Sequence, residues 1–182
     1  MEHERVAILV DGSNFYHYIK ELGLTNQLSF DYQAFARSLS RDRQLVSATY
    51  YVGKVREDGS ARSRRLMANQ QRLTARLTQA GWQLGYGHLL KTDRYHEKGV
   101  DVLMAVDLLR GAYKNDYDTA LLVSSDTDLI PAILEIRQAG KQLEYVGFSH
   151  RPSYGMIKNS DIRDLLKKED LAGFLTAEPS RN

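Results

Sequence analysis

The chain opens on an uninterrupted apolar run, Val6-Ala7-Ile8-Leu9-Val10, that ends abruptly at Asp11-Gly12-Ser13-Asn14. A run of this length without polar alternation predicts a strand buried on both faces of a parallel sheet. A helical pattern follows from Phe15 to Leu22 and stops at Gly23, and Asp31 is the expected cap of a second helix over Tyr32 to Ser40. Alternation of Val46, Ala48, Tyr50 and Val52 predicts a strand from Gln44 to Gly53. A long helix is expected from Ala61 to Ala80, closed by Gly81. Its Leu66, Leu73, Leu77 and Ala80 recur at helical spacing and should dock on the sheet, leaving Arg62, Arg65, Arg72 and Arg76 as a separate stripe.

Trp82 to Leu90 predicts another strand, weakened by Gly85 and Gly87, and a polar loop from Lys91 to Gly99 leads into a helix over Val100 to Tyr113 that is apolar almost all round. Thr119 to Ser124 is a second fully apolar strand pattern, followed by a helix from about Asp128 to Ala139 with Pro131 in its first turn, and a last strand from Gln142 to Phe148. The tail from Tyr154 to Leu175 reads as one or two amphipathic helices, restarting at Ser160-Asp161. Strand and helix alternate about five times with short connections, which predicts a three-layer α/β/α fold on a mainly parallel sheet of about five strands. A length of 182 residues suits one domain spanning 1–182.

Composition narrows the function classes. With 42% hydrophobic and 26% charged residues the chain is an ordinary globular protein, and without cysteine it has neither a disulfide framework nor a thiol nucleophile. The acidic N-terminus and the short apolar run do not make a signal peptide, and no stretch approaches the roughly 20 residues of a membrane span, so a cytoplasmic protein without membrane contact is expected. A net charge of +2 is too small to argue nucleic-acid binding; that case must rest on local clusters.

The acids are placed more tellingly. Asp11 and Asp126 each follow directly on an apolar strand, and Asp101 opens a helix, so a parallel sheet should bring all three to its carboxyl-terminal edge, where open α/β sheets bind ligands. Singly, each has an ordinary use as a turn residue, an N-cap or a first-turn acid. Together, carboxylates about 6 Å apart repel by roughly 3 kcal/mol per pair at an effective dielectric near 20, so the cluster must take up protons or a cation. An all-oxygen set supported by Asn14 and Ser125 suits Mg²⁺ or Mn²⁺.

Three stretches, Val10-Asp11-Gly12-Ser13-Asn14, Lys98-Gly99-Val100-Asp101-Val102 and Ser124-Ser125-Asp126-Thr127-Asp128-Leu129, resemble the three motifs of the NYN (LabA-like) branch of the PIN-like nuclease superfamily, in the family's order. The likeness runs from about Val6 to Leu165. It implies a Rossmann-like (PIN-like) fold and a Mg²⁺- or Mn²⁺-dependent endoribonuclease. Its acidic positions fall on Asp11, Asp101, Asp126 and Asp128, the first three as metal ligands, and Asp107 occurs in some relatives. Ser160-Asp161-Ile162-Arg163-Asp164-Leu165 is similar to the family's closing alanine-aspartate helix, with Ser160 in place of the alanine.

RNA, single-stranded or structured, is the expected partner. Ser13, Asn14 and Ser125 would meet phosphate, Tyr16 a base, and Arg62, Arg64, Arg65, Arg72, Arg76, Lys91, Arg94 and Lys98 would supply positive charge, although exposed helix arginines are most often only solvated. His88 and His96 are more ordinary as structural residues than as proton carriers. The alternative is a non-catalytic RNA- or protein-binding module that keeps the fold and the metal site, with room for a homodimer on the exposed helices. A phosphatase or nucleotide-binding domain is disfavoured: there is no G-x-G-x-x-G or P-loop, and Ser13 stands where a second acid would be needed.

Overall fold

The computed structural model describes residues 3–24, 26–54, 59–87 and 99–175. Along the chain run β1 (Arg5–Asp11), α1 (Gly12–Glu21), α2 (Tyr32–Ser40), β2 (Gln44–Val52), α3 (Ala61–Gln79), β3 (Gln83–Tyr86), α4 (Val100–Tyr113), β4 (Thr119–Val123), α5 (Ile130–Gln138), β5 (Gln142–Phe148), α6 (Tyr154–Asn159), β6 (Ile162–Leu166) and α7 (Lys168–Ala172). The strands form one sheet in the order β3-β2-β1-β4-β5-β6, and every neighbouring pair is parallel. The chain moves outward from β1 to β3, then returns to the other side of β1 and moves outward again. The reversal leaves a crevice between the ends of β1 and β4.

Both faces of the central strands are covered, which is why they read as continuous apolar runs. Val6, Ile8 and Val10 of β1 join Leu121 and Val123 of β4 and Val146 and Phe148 of β5 in one core beside α1, α2 and α3. Ala7, Leu9, Ala120, Leu122, Leu143 and Tyr145 enter the opposite core with Met104, Leu108, Ile133 and Ile136 from α4 and α5. The first core is aromatic: Phe15 lies 5.5 Å from Phe30 and from Phe35 and 6.3 Å from Tyr50, and Trp82 donates its indole N–H to the Tyr32 carbonyl at 3.1 Å. Buried Glu144 on β5 accepts from Arg43 at 2.7 Å and faces Arg41 at 3.7 Å, tying the start of β2 across to β5.

The structure corrects several sequence expectations. The sheet has six strands, because Ile162–Leu166 within the supposed closing helix pairs with β5 as an edge strand. Its Ile162, Leu165 and Leu166 fit a helical stripe equally well, but Asp161 accepts from the Leu143 N–H at 2.9 Å and from Arg137, and Asp164 pairs with Arg41 at 2.9 Å, which fix the segment on the edge. A short edge strand carrying Arg163 and Asp164 also resists pairing with other chains. Helix α1 starts at Gly12, earlier than Phe15, because Asp11 caps it. A 3-10 turn, Thr127–Leu129, precedes α5, and β3 ends at Tyr86; the remainder of that expected strand, 88–90, lies outside the described residues. Leu66 does not dock on the sheet: it is 47% exposed, while Leu77 is buried and Leu73 half-buried.

Four phenols, Tyr32, Tyr50, Tyr51 and Tyr117, sit in these cores with their ionisation pushed well above the ordinary value, in each case chiefly by burial. For Tyr51 the neighbouring Asp107 carboxylate adds to the effect. The folded state therefore holds them neutral, whereas the unfolded chain releases their protons above about pH 10. Their contribution is complete below that value and is lost as pH rises towards the raised folded values. Urea unfolding should accordingly show a clear fall in midpoint between about pH 9 and about pH 11; an unchanged midpoint would contradict the burial of these hydroxyls.

Candidate carboxylate cleft

Register brings the site together. Val10 pairs with Val123 across β1 and β4, so Asp11 and Ser124 leave the sheet side by side at the crevice. Asp11 is 3% exposed. As the N-cap of α1, its Oδ1 accepts the backbone N–H groups of Ser13 and Asn14, both at 3.0 Å. Its Oδ2 accepts from Asn14 Nδ2 at 2.7 Å and from the Ser124 hydroxyl at 3.3 Å. Asn14 then spans the crevice, its Oδ1 accepting from the Ser125 N–H at 3.3 Å. Gly12 must be glycine for steric reasons: a Cβ there would lie 2.4 Å from the Tyr50 ring and 2.5 Å from the Tyr51 carbonyl oxygen, and backbone cannot yield that much.

Asp126 is half-buried and caps the 3-10 turn after β4, its Oδ1 accepting from the Asp128 N–H at 2.9 Å. Its own N–H donates to the Ser124 hydroxyl at 3.2 Å, so Ser124 couples the positions of Asp11 and Asp126. Asp101 lies in the first turn of α4, which Gly99 enters in the left-handed conformation (φ 102) without any side-chain cap. The exposed N–H groups of that helix end favour an acid there. Asp11, Asp101 and Asp126 line one cleft of about 380 Å³ with Ser13, Asn14 and Tyr51.

Other sequence-predicted positions are more scattered. Asp128 is exposed in the turn beyond the cleft lining, and Asp107 is held by the Tyr51 hydroxyl at 3.0 Å and by Arg110 at 2.9 Å. The Ser125 hydroxyl is 3.0 Å from that of Tyr145, beneath the crevice floor. Tyr16 is exposed on α1, and Arg62, Arg64, Arg65, Arg72 and Arg76 are exposed on α3, outside the cleft. Lys91, Arg94, Lys98, His88 and His96 lie outside the described residues. Sequence reasoning missed Ser124; a hydroxyl at the strand end just before Asp126 was the available signal.

The donor set fits a hard cation in kind, being all oxygen, with neither Asp11 nor Asp126 ion-paired to a described residue. As placed, however, no three such groups stand within one coordination shell among the described residues. Asp11 is itself engaged, its two oxygens accepting four hydrogen bonds.

An all-parallel sheet with this strand order and its acids at the reversal point defines a Rossmann-like α/β domain. The sequence model of the NYN domain matches residues 5–163, so the chain belongs to the NYN domain family. The fold is similar to that of a protein of unknown function from Vibrio parahaemolyticus, with a TM-score of 0.67 and 24% identity over 91% of this chain and 94% of that one. Looser likenesses reach the T5 5′-exonuclease with bound zinc (TM-score 0.49, 15% identity, 82% of this chain and 58% of that one). They also reach the bacteriophage T5 flap endonuclease in a complex with DNA and metal ions (0.40, 14%, 67% and 49%). No curated protein matches the chain. Among the described residues, no helix is long and apolar enough to cross a membrane.

Proposed function

We propose that the protein is a Mg²⁺- or Mn²⁺-dependent ribonuclease that hydrolyses phosphodiester bonds at the carboxylate cleft. The observation that carries this reading is the meeting of Asp11, Asp101 and Asp126 on one cleft at the sheet's reversal point in an NYN domain. Asp101 and Asp126 would hold the ion, joined by Asp11 through Oδ2, whose bond to Ser124 is the longest of its four. A bound divalent ion there supplies charge neutralisation of phosphate oxygens and a water acidic enough to act as nucleophile. Asp128 would orient groups from beyond the cleft lining, Ser13, which lines the cleft, would donate its hydroxyl to phosphate, and Asn14 fixes Asp11 and the Ser125 backbone in place. The test is cleavage of labelled single-stranded RNA with Mn²⁺ or Mg²⁺, abolished by chelator; cleavage indifferent to chelator contradicts it.

The filled acceptors of Asp11 favour a second reading, a non-catalytic module that binds RNA through the same face. Chelator-insensitive RNA binding with no cleavage under any divalent ion would select it. In either case three of the exposed arginines of α3, Arg62, Arg65 and Arg72, would meet phosphates. Three such contacts on a single strand give a slope of about −2 in log affinity against log salt, so a fourfold rise in salt should weaken binding about 20-fold. A flat response would remove these arginines from the interface.

A further inference from the structure

A second groove opens beside the cleft and shares Ser13 and Gly53 with it. Its volume is about 470 Å³, and it lies between α1, the segment around Gln27 and α3. Among the described residues, no charged side chain lines it. Tyr16, Leu28, Leu66 and Leu73 are among its apolar lining, with Tyr16 40% and Leu66 47% exposed, and beside Ser13 its polar side chains are the carboxamides of Asn26, Gln27, Asn69 and Gln70. Gln70 is committed, donating to the Gly53 carbonyl and so bracing α3 against the rim that the two openings share. Gln27 is not: its Nε2 is buried with no hydrogen-bond partner among the described residues, a costly state for a donor that turning the carboxamide towards a ligand in the groove would relieve. Lys20 sits 5.9 Å from the Tyr16 ring at the outer edge.

Apolar walls, carboxamide edges and a described lining without charge suit a neutral, planar ligand with hydrogen-bonding edges, while the acids next door would meet a phosphodiester through a divalent ion. We propose that this groove is a nucleobase subsite, receiving the unpaired base adjacent to the phosphate held at the cleft, so that the protein acts on unpaired strands. The proposal rests on the nuclease reading for the phosphate but stands on the groove for the base. A base within a duplex has its edge paired and its faces stacked and cannot enter a recess of this kind, whereas a single strand can offer a base to an aromatic or apolar wall.

The test measures binding in chelator, so that cleavage plays no part. A labelled single-stranded oligouridylate is compared with the same strand carrying abasic riboses and with its duplex, for the native chain, for Tyr16→Ala/Leu66→Ala and for Gln27→Leu, with thermal unfolding of each variant as the control for folding. The native chain should bind the intact strand about tenfold more tightly than the abasic strand, the double variant should bind the two alike, and Gln27→Leu should fall between. Equal binding of intact and abasic strands by the native chain, or a loss in the double variant that is the same for both, overturns the subsite. Base-dependent binding without cleavage by any divalent ion sinks the nuclease reading and leaves the subsite standing. Cleavage indifferent to the missing base does the reverse.

Discussion

Asp126→Asn should lower RNA cleavage about 1000-fold while leaving the fold intact, because the loss of a carboxylate facing the ion costs several kcal/mol of transition-state stabilisation. The stability half of this expectation follows from the local geometry. The Asp126 Oδ1 that accepts from the Asp128 N–H is kept as an amide oxygen, and asparagine caps a helical turn about as well as aspartate. The side chain is only half-buried and has no ion-pair partner among the described residues, so unfolding free energy should change by less than about 0.5 kcal/mol. Single-turnover cleavage beside urea unfolding of the same preparation separates the two effects. Native-like cleavage rates would remove Asp126 from the chemistry.

Asp11→Ala should behave differently, losing activity and about 3 kcal/mol of stability together. The substitution strips the acceptor from two backbone N–H groups, an asparagine amide and a serine hydroxyl, in a place where water does not replace it. Loss of an N-cap alone costs about 1 kcal/mol, and each buried donor left without a partner adds about 1–3 kcal/mol before relaxation. Asp11→Asn is a sharper probe. It keeps Oδ1 for the backbone groups but sets an NH₂ against Asn14 Nδ2; Asn14 must turn over to offer its oxygen, and the Ser125 N–H then loses its acceptor. Its stability cost should be intermediate. If Asp11→Ala unfolded at the native urea concentration, the hydrogen-bonded role of this carboxylate would be wrong.

The contrast between these two acids marks how far the sequence could be read. Apolar runs ending in acids located β1 and β4 and the edge on which Asp11 and Asp126 stand, because strands buried on both faces leave an unmistakable pattern. The motif order supplied the family, which the match over 5–163 bears out. The sequence did not reveal that Asp11 is already saturated: the bonds from Ser13 and Asn14 are the local ones an N-cap allows, but the last comes from Ser124, 113 residues away, and hydrogen-bond geometry has no periodicity to betray it. Likewise β6 looked helical because a five-residue edge strand with one buried side chain carries too few apolar positions to distinguish a period of two from one of 3.6. Leu66 looked like core because it keeps the spacing of Leu73 and Leu77, yet it lies where α3 faces the groove.

These acids, gathered by register at one crevice, are proposed to hold a divalent ion. Anomalous diffraction at the manganese edge from crystals soaked in Mn²⁺ tests it most directly: a peak between the carboxylates of Asp101 and Asp126, lost in Asp126→Asn crystals, is the predicted result. An empty cleft at saturating Mn²⁺, or an ion held only by residues away from it, would contradict that role.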